Sequence, residues 1–134
     1  MNFEEVAPIV CRKTGMYVSP ATFESVCILF DGMNMALDGA PLLGFREWLV
    51  IKFEDGDNLH WYKLAEWAIG FTPENRATMD HKAALLRLES LMKEFFEYRR
   101  TYGVVVIYDD YRRWLLRHKW YNGPLRKIKK AAKK

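Results

Sequence analysis

Cysteine, histidine and long hydrophobic runs are all scarce in this chain of 134 residues. Its two cysteines, Cys11 and Cys27, are too few for a disulfide framework, and the three histidines show no zinc-ligand spacing. No apolar run approaches the roughly 18–20 residues that cross a bilayer. The acidic start, residues 1–5, differs from the basic start of a secretory signal. These absences predict a cytoplasmic protein with reduced thiols, no cofactor, no metal and no membrane contact.

Catalytic and nucleotide-binding motifs are also missing. The chain contains no GxSxG elbow, P-loop, GxGxxG stretch or HExxH pair. Cys27 lies beside the apolar stripe of a predicted helix, where a free cysteine usually acts as a small buried hydrophobe rather than a nucleophile. The sequence therefore predicts a protein that is not an enzyme.

Charge is unevenly distributed along the chain. Residues 1–110 contain all 17 acidic residues and 11 basic ones, a net charge of −6, whereas residues 111–134 carry +10 and no acid. We expect one globular domain over residues 1–123 and a basic, mobile tail over 124–134. Three interpretations of the basic segment stay open: a solvated tail, a binding site for phosphate-rich or acidic partners, and a segment folded back on the acidic body.

The spacing of apolar residues predicts a mainly α domain of four to five helices around a long central helix. That central helix covers residues 79–102, where helical periodicity persists for about six turns. Another helix is predicted to begin with Ser19 as its N-cap and to end before Gly39. Further helices are predicted over 45–53, around Leu64–Ala68 and over about 104–119, whereas residues 1–18 show no clear periodicity.

Two of these segments also fit β-strands. The run at 49–51 is rich in β-branched residues, and Asp55-Gly56 follows it as a typical hairpin turn, which would place a hairpin over 48–62. Residues 104–107 likewise resemble a strand in isolation. The alternative is thus an α+β fold, but we favour helices because the apolar positions of both segments continue helical faces.

The densest acidic cluster is Glu54-Asp55-Gly56-Asp57-Asn58. It lacks the EF-hand pattern of a calcium loop. It is therefore either a solvated turn or a loop that recognises a basic protein, with Glu54, Asp55, Asp57 and Asn58 as polar contacts and Trp61 as aromatic anchor.

The five tryptophans divide into two predicted groups. Three fall on apolar helical stripes and are expected in the core: Trp48, Trp67 and Trp114. Trp61, beside the acidic turn, and Trp120, before the break at 122–124, are expected at the surface.

Short motifs over residues 12–121 resemble a group of small bacterial proteins, associated with the immunity proteins of polymorphic and contact-dependent growth inhibition toxin systems. The motifs are Gly15-Met16-Tyr17, Gly44-Phe45-Arg46-Glu47-Trp48-Leu49, Asn58-Leu59-His60-Trp61, Trp114-Leu115 and Trp120-Tyr121. The resemblance implies a non-enzymatic cytoplasmic inhibitor that binds one cognate toxin domain, often over its active site. A nuclease toxin is basic because it holds phosphate, so an acidic surface would attract it.

A nucleic-acid-binding module is the alternative function. Basic residues interleave with aromatic ones near the C-terminus, a mixture that suits single strands. The candidate contact residues are Arg112, Arg113, Arg117, Lys119, Trp120, Arg126, Lys127, Lys129 and Lys130. The net charge of −6 on residues 1–110 opposes this function, because it would repel phosphate within about 8–10 Å.

Overall fold

A computed structural model describes residues 2–125 and confirms the mainly α fold. The described chain contains six helices, a 3₁₀ turn at Thr14–Met16 and no strand. The helices are α1 (Phe3–Arg12), α2 (Phe23–Ala36), α3 (Phe45–Phe53), α4 (Trp61–Ile69), α5 (His81–Tyr102) and α6 (Val104–Arg117). Residues 48–62 thus form parts of two helices and their loop rather than a hairpin, and 104–107 begin α6. Most of the predicted tail, residues 126–134, lies outside the described part.

The long helix α5 is central to the fold, as predicted, and packs against α1, α2, α4 and α6. Asp80 caps it, because its Oδ1 accepts a hydrogen bond of 3.0 Å from the backbone N–H of Lys82. The buried side chains of α5 recur every three or four residues and so form one face. They are Ala84, Leu85, Leu88, Leu91, Met92, Phe95 and Phe96.

Helix α1 was not expected from the sequence and accounts for the sixth helix. Asn2 caps it by accepting a hydrogen bond of 3.0 Å from the N–H of Glu4. Pro8 lies inside the helix and has no N–H to donate to the Glu4 carbonyl. The helix continues through this proline because its apolar face is buried, and tertiary packing supplies most of the stability of short helices. The buried residues are Phe3, Ala7, Val10 and Cys11.

Helix α2 begins later than the sequence indicated. Its N-cap is Thr22 rather than Ser19, and the Thr22 Oγ1 accepts a hydrogen bond of 3.2 Å from the N–H of Ser25. At the other end, Gly39 adopts a left-handed conformation with φ +78° and donates its N–H to the Asn34 carbonyl at 2.8 Å. Gly39 therefore closes the end of this helix, as its position in the sequence suggested.

The core joins α3, α4 and α5 through a cluster of aromatic rings around Phe45. The ring centroid of Phe45 lies 4.8 Å from that of Phe95 and 5.6 Å from that of Trp61, and Trp48 lies 5.6 Å from Phe95. Such pairs contribute about 0.5–1.5 kcal/mol each beyond the burial of their surface. This cluster fixes α4, and with it the loop that precedes α4, against the rest of the domain.

Three tryptophans lie where the sequence predicted: Trp48 and Trp114 are buried, and Trp120 is 56% exposed. The other two predictions were wrong, since Trp61 is only 5% exposed and Trp67 is 43% exposed. The reason is the register of α4. Its inward face contains Trp61, Leu64, Ala65 and Ile69. Trp67 lies beside this stripe rather than on it.

Candidate protein-binding surface

The acidic loop, residues 54–60, is a tight turn between α3 and α4. Glu54 ends α3 in a left-handed conformation with φ +53°, and Gly56 follows with φ +84°. The Asp55 carboxylate accepts a hydrogen bond of 2.7 Å from the Gly56 N–H, and the Gly56 carbonyl accepts one of 2.9 Å from the Leu59 N–H. These bonds define the backbone of the turn.

The loop directs most of its polar side chains into solvent. Gly56 is buried beneath the turn, whereas Glu54, Asp55 and Asn58 are exposed and Asp57 is half-buried. The four polar residues that the sequence singled out therefore share one surface feature.

Asp31 on α2 anchors the far end of the loop, and the sequence analysis did not identify it. Its Oδ1 accepts a hydrogen bond of 2.7 Å from the Trp61 indole Nε1, and its Oδ2 lies 2.9 Å from His60 Nε2. Arg46 adds a second tie, since its Nε donates to the Leu59 carbonyl at 2.9 Å. Buried Trp61 thus supports the acidic loop from inside, which corrects its expected role as an exposed anchor for a partner.

The exposed aromatic side chain beside the loop is Trp67. A Cβ atom added to Gly56 would lie 3.2 Å from Trp67 Cζ3, so the loop backbone runs close to this ring. Phe53, the last residue of α3, packs edge-on against the same ring with centroids 5.9 Å apart. The loop therefore has an aromatic neighbour at the surface, but it is Trp67 rather than Trp61.

In the described part of the basic segment, Arg117 approaches the acidic loop, with its Nη2 4.0 Å from a Glu54 oxygen. Arg112 and Arg113 both pair with Asp109, and the Arg112 hydrogen bond holds the pKa of the Asp109 carboxyl below its usual value. Three of the predicted nucleic-acid contacts thus face carboxylates of the same chain. Lys119 and Trp120 are exposed, and Arg126, Lys127, Lys129 and Lys130 lie outside the described residues.

An aromatic cluster lies near the start of the basic segment. The ring of Trp114 lies 4.2 Å from that of His118 and 5.9 Å from that of Trp120, measured between centroids. His118 Nδ1 is 2.7 Å from the Trp114 carbonyl oxygen. Trp120 therefore has one side supported by the fold and the other open to solvent.

Both cysteines are free and buried, Cys11 on α1 and Cys27 on the neighbouring helix α2. Burial, with a smaller contribution from Glu89, raises the pKa of the Cys11 thiol to about 12. Burial also raises the pKa of Cys27. Because the thiolate is the nucleophilic form, neither thiol is activated for chemistry.

Within residues 2–125, no group of three or more His, Cys, Asp or Glu side chains is arranged to hold a metal ion. None of the helices described here is long and apolar enough to span a membrane. Comparison with known proteins found no matching family model, curated protein or solved structure.

Proposed function

We propose that this protein is a non-enzymatic inhibitor, a bacterial immunity protein that neutralises a cognate basic toxin domain of the nuclease type. The observation that carries the proposal is the acidic loop, whose carboxylates, exposed at Glu54 and Asp55 and half-buried at Asp57, stand on a backbone held by buried Gly56 and by the hydrogen bond between buried Trp61 and half-buried Asp31. A surface that is ordered before binding loses less conformational entropy when a partner docks. Its negative charge also speeds association with a positively charged partner.

The charge of this loop is largely available to a partner. Neither Asp55 nor Asp57 forms an ion pair with a cation of the described chain, and Glu54 is at the 4.0 Å limit from exposed Arg117. Ion pairs between exposed groups contribute only about 0–1 kcal/mol, so a partner's arginine or lysine can replace this contact at little cost.

The test is binding to the toxin domain encoded beside the gene of this protein, with protection of cells from that toxin as the second readout. We expect E54Q/D55N/D57N to lower the affinity about tenfold or more, mainly through slower association. The control E5Q/E74Q/E97Q removes the same charge from exposed carboxylates outside the loop and should bind like the wild type. Wild-type protein that neither binds nor protects would contradict the proposal.

Nucleic-acid binding through the basic segment remains a second candidate, supported by exposed Trp120 next to Lys119, a pair suited to stacking and phosphate contact. Binding to a single-stranded oligothymidine should then be weak, indifferent to sequence and steeply dependent on salt. Removal of residues 125–134 should weaken it strongly, and unchanged affinity would rule out the tail as the contact.

A further inference from the structure

A groove of about 480 Å³ opens beside the acidic loop, between α3, α4 and α5. Two of its lining side chains are large, apolar and unusually exposed: Trp67 at 43% and Leu86 at 44%. Phe53 lines the groove as well and connects it to the loop, because Glu54 is the next residue. The groove and the acidic loop therefore form one continuous surface.

The Trp67 side of the groove is held in place before any partner arrives. The Trp67 ring contacts the ring of Phe53 and lies next to the backbone of Gly56. Leu86 projects from the second turn of α5, the longest helix of the described chain. An aromatic ring supported in this way loses little side-chain entropy when it is covered, which is why tryptophan is common among residues that dominate binding energy.

The basic groups that line the groove already have partners within the chain. Lys52 Nζ bonds to Glu94 at 2.9 Å and lies 5.0 Å from the centre of the Trp48 ring. Arg87 Nη1 donates to the Ile69 carbonyl at 2.9 Å. Among the residues that the structure describes, no cation forms an ion pair with Asp55 or Asp57 on the neighbouring loop. The surface is thus an apolar groove that contains one hydrogen-bonded but still charged arginine, Arg87, and that adjoins the carboxylates of Asp55 and Asp57 on the loop.

We propose that this groove receives an apolar or aromatic side chain from a basic polypeptide segment, whose lysines or arginines contact Asp55 and Asp57. The inference deepens the proposed function and rests on it, since the basic segment would belong to the toxin domain. It makes Trp67 the central contact residue of the interface. A nucleic acid is the less suitable occupant because the carboxylates would repel its phosphates.

Two synthetic peptides of equal charge test the chemistry without knowledge of the toxin: acetyl-Gly-Lys-Lys-Phe-Lys-Lys-Gly-amide and the same peptide with glycine in place of phenylalanine. The indole N–H signals of the ¹⁵N-labelled protein report on its five tryptophans. We expect the phenylalanine peptide to shift the Trp67 signal saturably and the glycine peptide to leave it in place. Loss of the shift in E54Q/D55N/D57N would confirm that both parts of the surface act together.

The second part of the test measures the affinity of protein variants for the toxin domain. W67A and L86A should each lower affinity about 30-fold, the effect of losing roughly 2 kcal/mol. I28A, which truncates an aliphatic side chain that is 72% exposed on α2, should bind like the wild type. L86A serves as the check if W67A disturbs the loop.

The outcomes separate the two proposals. If wild-type protein binds the toxin and only the loop variant weakens binding, the groove inference is wrong and the proposed function stands. If the toxin fails to bind but the phenylalanine peptide still shifts Trp67, the toxin assignment fails and the groove remains a site for basic segments. A Trp67 signal that neither peptide moves, or that moves with protein concentration alone, would overturn the inference, the latter by indicating a second copy as occupant.

Discussion

Gly56 determines the shape of the acidic loop for two separate reasons. Its φ of +84° lies in the left-handed region, and an added Cβ would lie 2.5 Å from Leu64 Cδ2. Gly39 shares the first feature, with φ +78°, but has nothing within 4 Å of an added Cβ. A comparison of alanine substitutions at these two glycines therefore separates the cost of backbone strain from the cost of steric overlap.

We expect Gly56→Ala to lower the free energy of unfolding by about 3 kcal/mol, the sum of left-handed strain and overpacking. Gly39→Ala should cost about 1 kcal/mol, from strain alone. Urea denaturation of both variants checks this, and equal losses would show that the loop relaxes around the new methyl group.

Loss of the Asp31 side chain should loosen the backbone of the acidic loop without changing any of the exposed side chains of that loop. Asp31→Ala leaves the buried Trp61 indole N–H without its acceptor, which should cost about 1–3 kcal/mol. Asp31→Asn retains an oxygen for this bond and should cost less. Thermal melts measure the loss, and faster amide hydrogen exchange at residues 54–60 would show that the loop is the part affected. Equal melts for the two variants would contradict the role of this hydrogen bond.

The cysteines should be unreactive in the folded protein. Both thiols are buried and protonated at neutral pH, so a thiol reagent should label them only when the protein unfolds. Labelling rates should therefore rise with urea in parallel with the unfolded population, and rapid labelling in buffer would contradict the burial.

The raised pKa of Cys11 also sets the sign of a pH effect. The thiol ionises at 9.0 when unfolded and at about 12 when folded, so the unfolded state loses its proton first. This contribution to stability is complete below pH 9.0 and is lost as pH rises toward 12. Cys11→Ala should show a smaller fall in the free energy of unfolding across that window.

At the scale of elements, an ion pair ties the segment between α4 and α5 to α4. Glu66 is only 4% exposed, and both of its oxygens bond to Arg76, at 3.2 and 2.6 Å. Lys63 lies farther away, 3.6 Å from the same carboxylate, and is partly exposed. Arg76 is therefore the cation that compensates this buried charge.

Arg76→Ala should destabilise the protein by about 3 kcal/mol because it leaves the carboxylate of Glu66 buried without its main partner. Lys63→Ala, the matched control, should cost less than about 1 kcal/mol. Chemical denaturation compares the two. Similar losses would mean that water reaches Glu66 once Arg76 is gone.

Over the whole molecule, packing extends beyond the predicted domain end at residue 123. Leu125 is half-buried against the core, and its N–H donates to the Tyr121 hydroxyl at 3.4 Å. The last ten residues carry six positive charges and only two large apolar side chains, so residues after Leu125 should add little to stability.

A chain ending at Leu125 should therefore unfold at the temperature of the full chain, whereas one ending at Gly123 should unfold about 3 °C lower, equivalent to roughly 1 kcal/mol. Differential scanning calorimetry measures both. A large drop for the longer truncated chain would show that residues 126–134 contribute to the folded domain.

The sequence by itself favoured the helical class and located five of the six helices of the described residues. The long stripe of α5 and the stop at Gly39 are local signals, because helical periodicity and a left-handed glycine at a helix end depend on neighbours a few residues apart. The same locality identified the acidic loop, whose charged residues are adjacent in the chain.

Tertiary structure alone decided which tryptophan supports the loop and which one faces solvent. Trp61 is buried because Asp31, thirty residues earlier in the chain, accepts its indole hydrogen bond and Phe45 and its neighbours surround it. Trp67 is exposed because α4 starts at Trp61 and turns its apolar face away from Trp67. Helix α1 likewise forms despite Pro8, because α5 covers its apolar face. Such outcomes depend on contacts between distant segments, and periodicity within one segment contains no information about them.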